Sequence, residues 1–152
     1  MGGPSAQNET QTGPVVSVFV DSSIWFAAAN ARDRLNQRAK SILTQTTSRR
    51  STDHVLVETW LLLNNRLGRF AAERFWDGIR QGAAEIEKVT PADLEAAWAI
   101  GTAFADQSFS IVDRTSFAVM ERIGLTQVAS FDHDFAVYRY GRARDKAFEL
   151  VR

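Results

Sequence analysis

The stretch VVSVFV, residues 15–20, constrains the fold more than any other part of the chain. Apolar and β-branched side chains fill almost every position instead of alternating with polar ones. Successive strand residues point to opposite faces, so a strand of this kind has to be covered on both. Helices on both faces of a parallel sheet supply that cover, and each parallel crossover needs a helix-length connection. The run ends in Asp21, followed by Ser22, Ser23 and Trp25. A carboxylate there is either a cap for the next helix or a metal ligand at the carboxyl edge of the sheet, where open α/β sheets hold their sites.

The remaining pattern fits a parallel α/β sheet. Val15 to Val20 is read as the first strand, and Ser22 or Ser23 caps a short helix through Ala29. Asp33 to Thr47 places Leu35, Ala39, Ile42 and Leu43 at helical spacing. Arg49 to Thr52 reads as a short second strand. Asp53 then caps a helix carrying Val55, Leu56, Thr59, Leu62 and Leu63, which stops at Gly68, and another helix spans Arg69 to Gln81. Ala84 to Val89 is the third strand. Thr90-Pro91-Ala92-Asp93 combines a cap, a proline at the first helical position and an acid three residues past the cap. That helix reaches about Ala105, and Asp106 to Ser110 is a loop. Ser110-Ile111-Val112-Asp113 repeats the capping-box pattern and opens a helix to Arg122, stopped by Gly124. Thr126 to Phe131 is the fourth strand and Phe148 to Val151 a last edge strand. Strands alternating with helices predict an α/β fold with a central parallel sheet. One domain is expected over 15–152, after a flexible Gly-, Ser- and Thr-rich leader over 1–14.

Composition removes several kinds of site. There is no cysteine, so disulfides and thiolate zinc sites are excluded. Two histidines, His54 and His133, are too few for a histidine-based zinc site. Eighteen Lys and Arg balance eighteen Asp and Glu, so any nucleic-acid contact depends on local patches. No apolar run approaches the roughly 20 residues that span a bilayer. The first residues lack an apolar signal core. A cytoplasmic protein without membrane contact is expected.

The acids carry the remaining signal. Glu58 sits in the mostly apolar helix HVLVETWLLL, where it is either functional or solvated at the edge of the stripe. Asp113 is the acid of its capping box, a role compatible with metal binding. Asp132 and Asp134, in SFDHDF, follow the fourth strand and are either a solvated turn or part of a site at the strand's end. Asp93 is accounted for as a helix-start acid. Asp106, Glu95 and Glu121 are weaker candidates. Together the stronger acids come from two strand ends and two helices. Three or four oxygen ligands without soft ones fit Mg²⁺ or Mn²⁺, and crowded carboxylates without a cation would take up protons.

The segments VFVDSSIWF, VLVETWLLLNNRLG and FSIVDRTSFAVMERIGLTQVASFDHDF resemble the PIN-domain family, specifically VapC-type toxin ribonucleases of toxin–antitoxin pairs. The likeness runs from about Val16 to Tyr140. It implies a PIN-like three-layer sandwich with a central parallel sheet flanked by helices. It also implies one or two divalent ions, Mg²⁺ or Mn²⁺, held by acids at the carboxyl edge. By position these are Asp21, Glu58, Asp113 and Asp132, with Asp134 as second choice for the fourth. Asp21 and Asp113 would be direct ligands, with Glu58 and Asp132 acting through water. Ser22 and Thr115 would support them.

The implied activity is Mg²⁺-dependent endoribonuclease cleavage by activated water. The alternatives are an RNA-processing nuclease without a toxin role, or a non-catalytic RNA- or protein-binding domain. A phosphotransfer or phosphatase domain using the strand-end Asp would need a lysine near a strand, and Lys88 is the one available. Arg49, Arg50, Arg139, Arg142, Arg144 and Lys146 are candidate RNA contacts, since the arginine fork binds phosphate bidentately. Trp25, Phe26 and Trp60 would stack on bases or form core or a partner face. The resemblance implies a cognate antitoxin covering residues 24–30 and 55–66, and a homodimer or a toxin–antitoxin hetero-oligomer.

Overall fold

The structure, a computed structural model, describes residues 15–152; the expected leader over 1–14 lies outside the described residues. The elements are β1 (Ser17–Val20), α1 (Ser22–Ala29), α2 (Asn36–Gln45), β2 (Ser48–Thr52), α3 (Asp53–Leu67), α4 (Arg69–Arg80), β3 (Glu85–Glu87), α5 (Pro91–Ala103), α6 (Ile111–Ile123), β4 (Gln127–Ala129), α7 (Asp134–Val137) and β5 (Glu149–Val151). The strands form one sheet in the order β3-β2-β1-β4-β5, and every ladder is parallel. This is the expected α/β fold.

The topology decides where a site can form. From β1 the chain steps through β2 to β3 on one side, then crosses back to β4 and β5 on the other. Right-handed crossovers therefore place α1 to α4 on one face and α5 to α7 on the opposite face. The direction reverses between β1 and β4, so a crevice opens beyond their carboxyl ends. The backbone N–H of Asp21 donates to Ala129 O at 3.0 Å, closing the two strands at that mouth.

Several boundaries differ from the sequence reading. β1 begins at Ser17, because its ladder starts with the Ser17–Ser48 pair; Val15 and Val16 precede the ladder and are exposed. Asp21 itself caps α1, in place of Ser22 or Ser23. Thr52, and not Asp53, caps α3, with Thr52 Oγ1 accepting the Val55 N–H at 3.0 Å. α2 begins at Asn36, because the Asp33 carboxylate accepts the Leu35 N–H at 2.8 Å and holds the preceding residues in a turn. The tail of SFDHDF is a short helix, α7, where a turn was expected. β3 and β4 are shorter than expected, limited to residues paired with neighbours.

The core fixes α6 in particular. Residues Thr115 to Met120 are buried without interruption, so this helix is enclosed on nearly every side. Phe117 stacks on Tyr138 with centroids 4.2 Å apart, and meets Phe109 and Phe135 edge-on at 5.2 and 5.0 Å. These contacts hold the start of α6, and with it Asp113, against the sheet. Arg114 adds a tie to α5 by donating to Ala97 O and Ser110 O at 3.3 and 3.4 Å. It lies where a Cβ at Gly101 would be, so a larger residue there would displace its guanidinium. No helix among the described residues is long and apolar enough to cross a membrane.

Candidate active site

Asp21 reaches the crevice because β1 is rigid and buried up to its last residue; its own exposure is 3%. One carboxylate oxygen is saturated. Oδ2 accepts from Ser23 Oγ and Ser130 Oγ, each at 2.9 Å, and from the Ser23 N–H at 3.5 Å. Oδ1 has only the Ser22 hydroxyl at 3.5 Å, so it is the oxygen left for a ligand. Burial pushes the Asp21 carboxyl above its ordinary range; the hydroxyls of Ser23 and Ser130 oppose that, and Asp132 adds to it.

Glu58 joins Asp21 through a hydroxyl. Ser22 Oγ donates to Glu58 Oε1 at 2.6 Å, which links the start of α1 to the middle of α3. Burial raises the Glu58 carboxyl; the Ser22 bond opposes it, and the charges of Asp21 and Asp132 reinforce it.

Asp113, Asp132 and Asp134 form the tightest acid group, offering oxygens that lie within 4.8 Å of one another. Asp113 is held by its capping box: Ser110 N–H donates to Oδ2 at 3.0 Å, and Asp113 N–H donates to Ser110 Oγ at 3.0 Å. The loop after β4 is shaped by its own polar groups. Asp132 N–H donates to Ser130 Oγ at 2.9 Å, and Asp134 N–H donates to Asp132 Oδ1 at 3.0 Å. Asp113 is pushed up to about 8, chiefly by burial. The hydrogen bond with Asp134 and the charges of Asp132 and Asp21 add to this, and the Ser110 N–H opposes it.

No Lys or Arg pairs with any of these five acids among the described residues. An all-oxygen donor set lacking a protein cation fits a hard divalent ion. Asp113, Asp132 and Asp134 would hold it, with Asp21 Oδ1 and Glu58 on its border. The expectation had made Asp132 and Asp134 alternatives and paired Asp21 with Asp113. The structure brings both loop acids to Asp113, which also feels the charge of Asp21.

A PIN-domain profile matches residues 18–140. The chain belongs to the PIN-domain family. It is 37% identical over 129 residues to the 23S rRNA-specific endonuclease VapC20 of Mycobacterium tuberculosis, covering 84% of this chain and 98% of that one. The crystal structure of that toxin, described as cleaving the sarcin–ricin loop, superposes with a TM-score of 0.73, covering 78% of this chain and 92% of that one. FitAcB from Neisseria gonorrhoeae, at 14% identity, covers 89% of this chain and 96% of its own with a TM-score of 0.62. VapBC2 from Rickettsia felis, bound to promoter DNA, covers 90% and 98% at 11% identity and 0.63. The last two show the PIN fold.

Other expected residues take different places in this PIN domain. Thr115 does not reach the acids: its hydroxyl is buried and bonds the Ile111 and Val112 carbonyls of its own helix at 2.9 and 3.0 Å. Arg49 donates to Leu43 O and Thr46 O, each at 2.7 Å, and to Ala83 O, tying off the end of α2. Arg50 pairs with Glu87 at 2.6 Å and Glu85 at 3.5 Å across the β2–β3 edge. Arg139 donates to Ala136 O and Tyr138 O at the end of α7. These three arginines thus hold neighbouring elements together, while each keeps part of its surface exposed. Arg142 is exposed and makes no hydrogen bond or ion pair among the described residues. Trp25 is core, 6% exposed and 5.9 Å from Phe75.

Ser23 and Ser130 are the residues that sequence reasoning missed. Ser23 was read only as a helix cap, and nothing local links Ser130 to Asp21. The one sequence signal was a hydroxyl beside an acid at each of two strand ends.

Ser22 gives a direct test of this arrangement. Ser22→Ala removes the one hydroxyl between Asp21 and Glu58. Loss of a charge-assisted hydrogen bond of about 1.5–3 kcal/mol corresponds to roughly a 10- to 100-fold fall in RNA cleavage. Single-turnover rates check this; a rate within twofold of wild type would show that Ser22 does not order the acids.

Proposed function

We propose that this protein is a Mg²⁺-dependent endoribonuclease and the toxin of a VapC-type toxin–antitoxin pair, with ribosomal RNA as its substrate class. The observation that carries the proposal is the convergence of Asp21, Glu58, Asp113, Asp132 and Asp134 at the switch point of the sheet, without a protein cation. The likeness to a 23S rRNA endonuclease over nearly its whole length supports the substrate class.

A bound divalent ion lowers the pKa of water and polarises the phosphoryl oxygen in such sites. The chain's own groups prepare that chemistry. The capping box holds the Asp113 carboxylate, and the Asp134 N–H holds that of Asp132. The hydroxyls of Ser23 and Ser130 keep Asp21 Oδ1 pointed at the crevice by occupying Oδ2. Glu58, half-buried with its proton affinity raised, is placed to accept a proton from the attacking water and is oriented by Ser22. Hydrolysis of this kind leaves 5′-phosphate and 3′-hydroxyl ends. Arg142 is free to contact the RNA backbone.

The antitoxin is the expected partner. Trp25, Ala28 and Ala29, within the expected partner segment 24–30, line a groove of about 480 Å³ with Phe70, Arg74 and Phe75. An apolar antitoxin segment would lie there. Wild type incubated with ribosomes and Mg²⁺ or Mn²⁺ should cut 23S rRNA, and Asp21→Asn should not. Absence of cleavage by wild type, or equal cleavage by the variant, overturns the proposal.

A further inference from the structure

A pocket of about 280 Å³ opens between α5, the loop that follows it and the start of α6. Trp98, Gly101, Phe104, Gln107 and Arg114 shape it. It lies on the flank of α6 away from α3. Val112 meets the α3 residues Val57 and Leu61, and Arg114, two positions on, is turned from it by about 200°. Arg114 is the one charged residue that lines the pocket; Asp106 and Asp145, exposed acids of the neighbouring loops, do not. The volume is just below the roughly 300–1,000 Å³ of small-molecule sites. It admits one flat ring system but not a partner's helix, which is about 10 Å across.

The pocket joins an exposed ring to cations in fixed positions. Trp98 is 75% exposed, although Ala97 and Ile100 of the same helix are buried. The Arg114 guanidinium rests against Gly101, three residues on from Trp98. Its Nη1 and Nε are held by the Ala97 and Ser110 carbonyls, while Nη2 makes no hydrogen bond among the described residues. Phe104 forms a rigid wall, packed on Phe109 and Tyr138 with centroids 5.7 and 5.3 Å apart. A second cation stands behind it: the Arg144 guanidinium lies 5.3 Å from the Phe104 ring centroid. Arg144 has a φ of 50°, the one left-handed non-glycine residue among those described, and such strain is typical of a side chain held in place for use. Neither arginine pairs with an acid among the described residues. Arg114 also follows Asp113 directly, so their Cα atoms are about 3.8 Å apart. The pocket therefore adjoins the acidic site on its cationic side.

We propose that this pocket takes one unpaired base of the RNA substrate, stacked on Trp98, with the adjoining phosphates on Arg114 and Arg144. Sequence-specific proteins read RNA mostly at such splayed-out bases, which stack on aromatic rings and guanidinium planes. The Gln107 amide both donates and accepts, so it can meet the edge of the base. The inference rests on the endoribonuclease reading. It gives that site a means of choosing loops over duplex, apart from the acids that cut.

The test uses a synthetic RNA stem-loop spanning the site that wild type cuts in 23S rRNA, with abasic nucleotides placed singly through the loop. In wild type, one abasic position should raise KM by roughly 5- to 100-fold, the range of one base–aromatic stack, with kcat within twofold. Trp98→Ala should raise KM for the intact RNA by a similar factor and make that position silent. Trp98→Phe should keep most of the abasic penalty, and thermal unfolding of both variants should match wild type. Arg144→Gln should lower the slope of log KM against log salt by about 0.7–1, the effect of one lost phosphate contact. An abasic penalty that survives in Trp98→Ala, or a KM for that variant within twofold of wild type, overturns the inference and leaves the nuclease reading intact. A change of oligomeric mass in Trp98→Ala by light scattering would show that the pocket seats a second copy of the chain, which also overturns it. Failure of wild type to cut ribosomal RNA overturns both readings.

Discussion

Replacing Asp113 with Asn is expected to lower RNA cleavage by roughly 10²–10³-fold, the usual cost of removing a key charged group from a preorganised site, while making the chelated protein more stable than wild type. The two effects have opposite signs because Asp113 is poor for folding for the same reason that it is good for binding a cation. It is buried, and faces Asp134, Asp132 and Asp21. In the folded chain its carboxyl is pushed up to about 8 from an ordinary 3.8. Between those values the folded state holds a proton that the unfolded state has released. Stability therefore falls as pH rises through that window. Asn cannot ionise, and its side-chain oxygen can still accept the Ser110 N–H that closes the capping box. Thermal unfolding in EDTA should show the advantage of Asp113→Asn growing from pH 5 to pH 8.5. A variant less stable than wild type at pH 8.5 would mean that the acid cluster does not strain the fold.

Divalent ion added to wild type should raise the unfolding temperature, and more so at pH 8 than at pH 5.5. At a hundred times its dissociation constant, a ligand specific to the folded state contributes about 2.7 kcal/mol. For a chain of this size that is roughly 5–10 °C. The pH dependence has its own cause. At pH 5.5 Asp113 is protonated, and burial also raises Asp21 and Glu58, so protons compete with the ion for the same oxygens. Scanning fluorimetry with Mn²⁺ at the two pH values, with and without chelator, measures the difference. Equal shifts at both pH values, or the full shift retained in Asp113→Asn, would show that the ion binds elsewhere.

Much of the candidate site was legible because its acids occupy punctuation points of the chain. Asp21 ends a run buried on both faces, and Asp113 is the fourth residue of a capping box; both kinds of signal are local. Asp132 and Asp134 stand just past a short strand. Glu58 was legible as an acid in an apolar helix. The structural contacts of the arginines were not. Arg49, Arg50 and Arg139 look like surface cations in the sequence, and only folding shows that their forks meet carbonyls and carboxylates of neighbouring elements. The helix-internal bonding of the Thr115 hydroxyl was hidden for a similar reason. Its spacing from Asp113 was suggestive, but two residues on, a helix has turned by about 200°.

By itself, the sequence determined the class of fold, the order of its elements and the oxygen-only chemistry of the acids, because hydrophobic periodicity and capping act over a few residues. Tertiary structure decided three other things. It selected Asp113, Asp132 and Asp134 together as the tight group. It joined Asp21 to Ser130 across 109 residues of chain. It also brought the Val89 N–H onto the Asp53 carboxylate that holds the His54 ring. Each depends on which strand ends are neighbours in the sheet, a matter of long-range packing that no local pattern encodes.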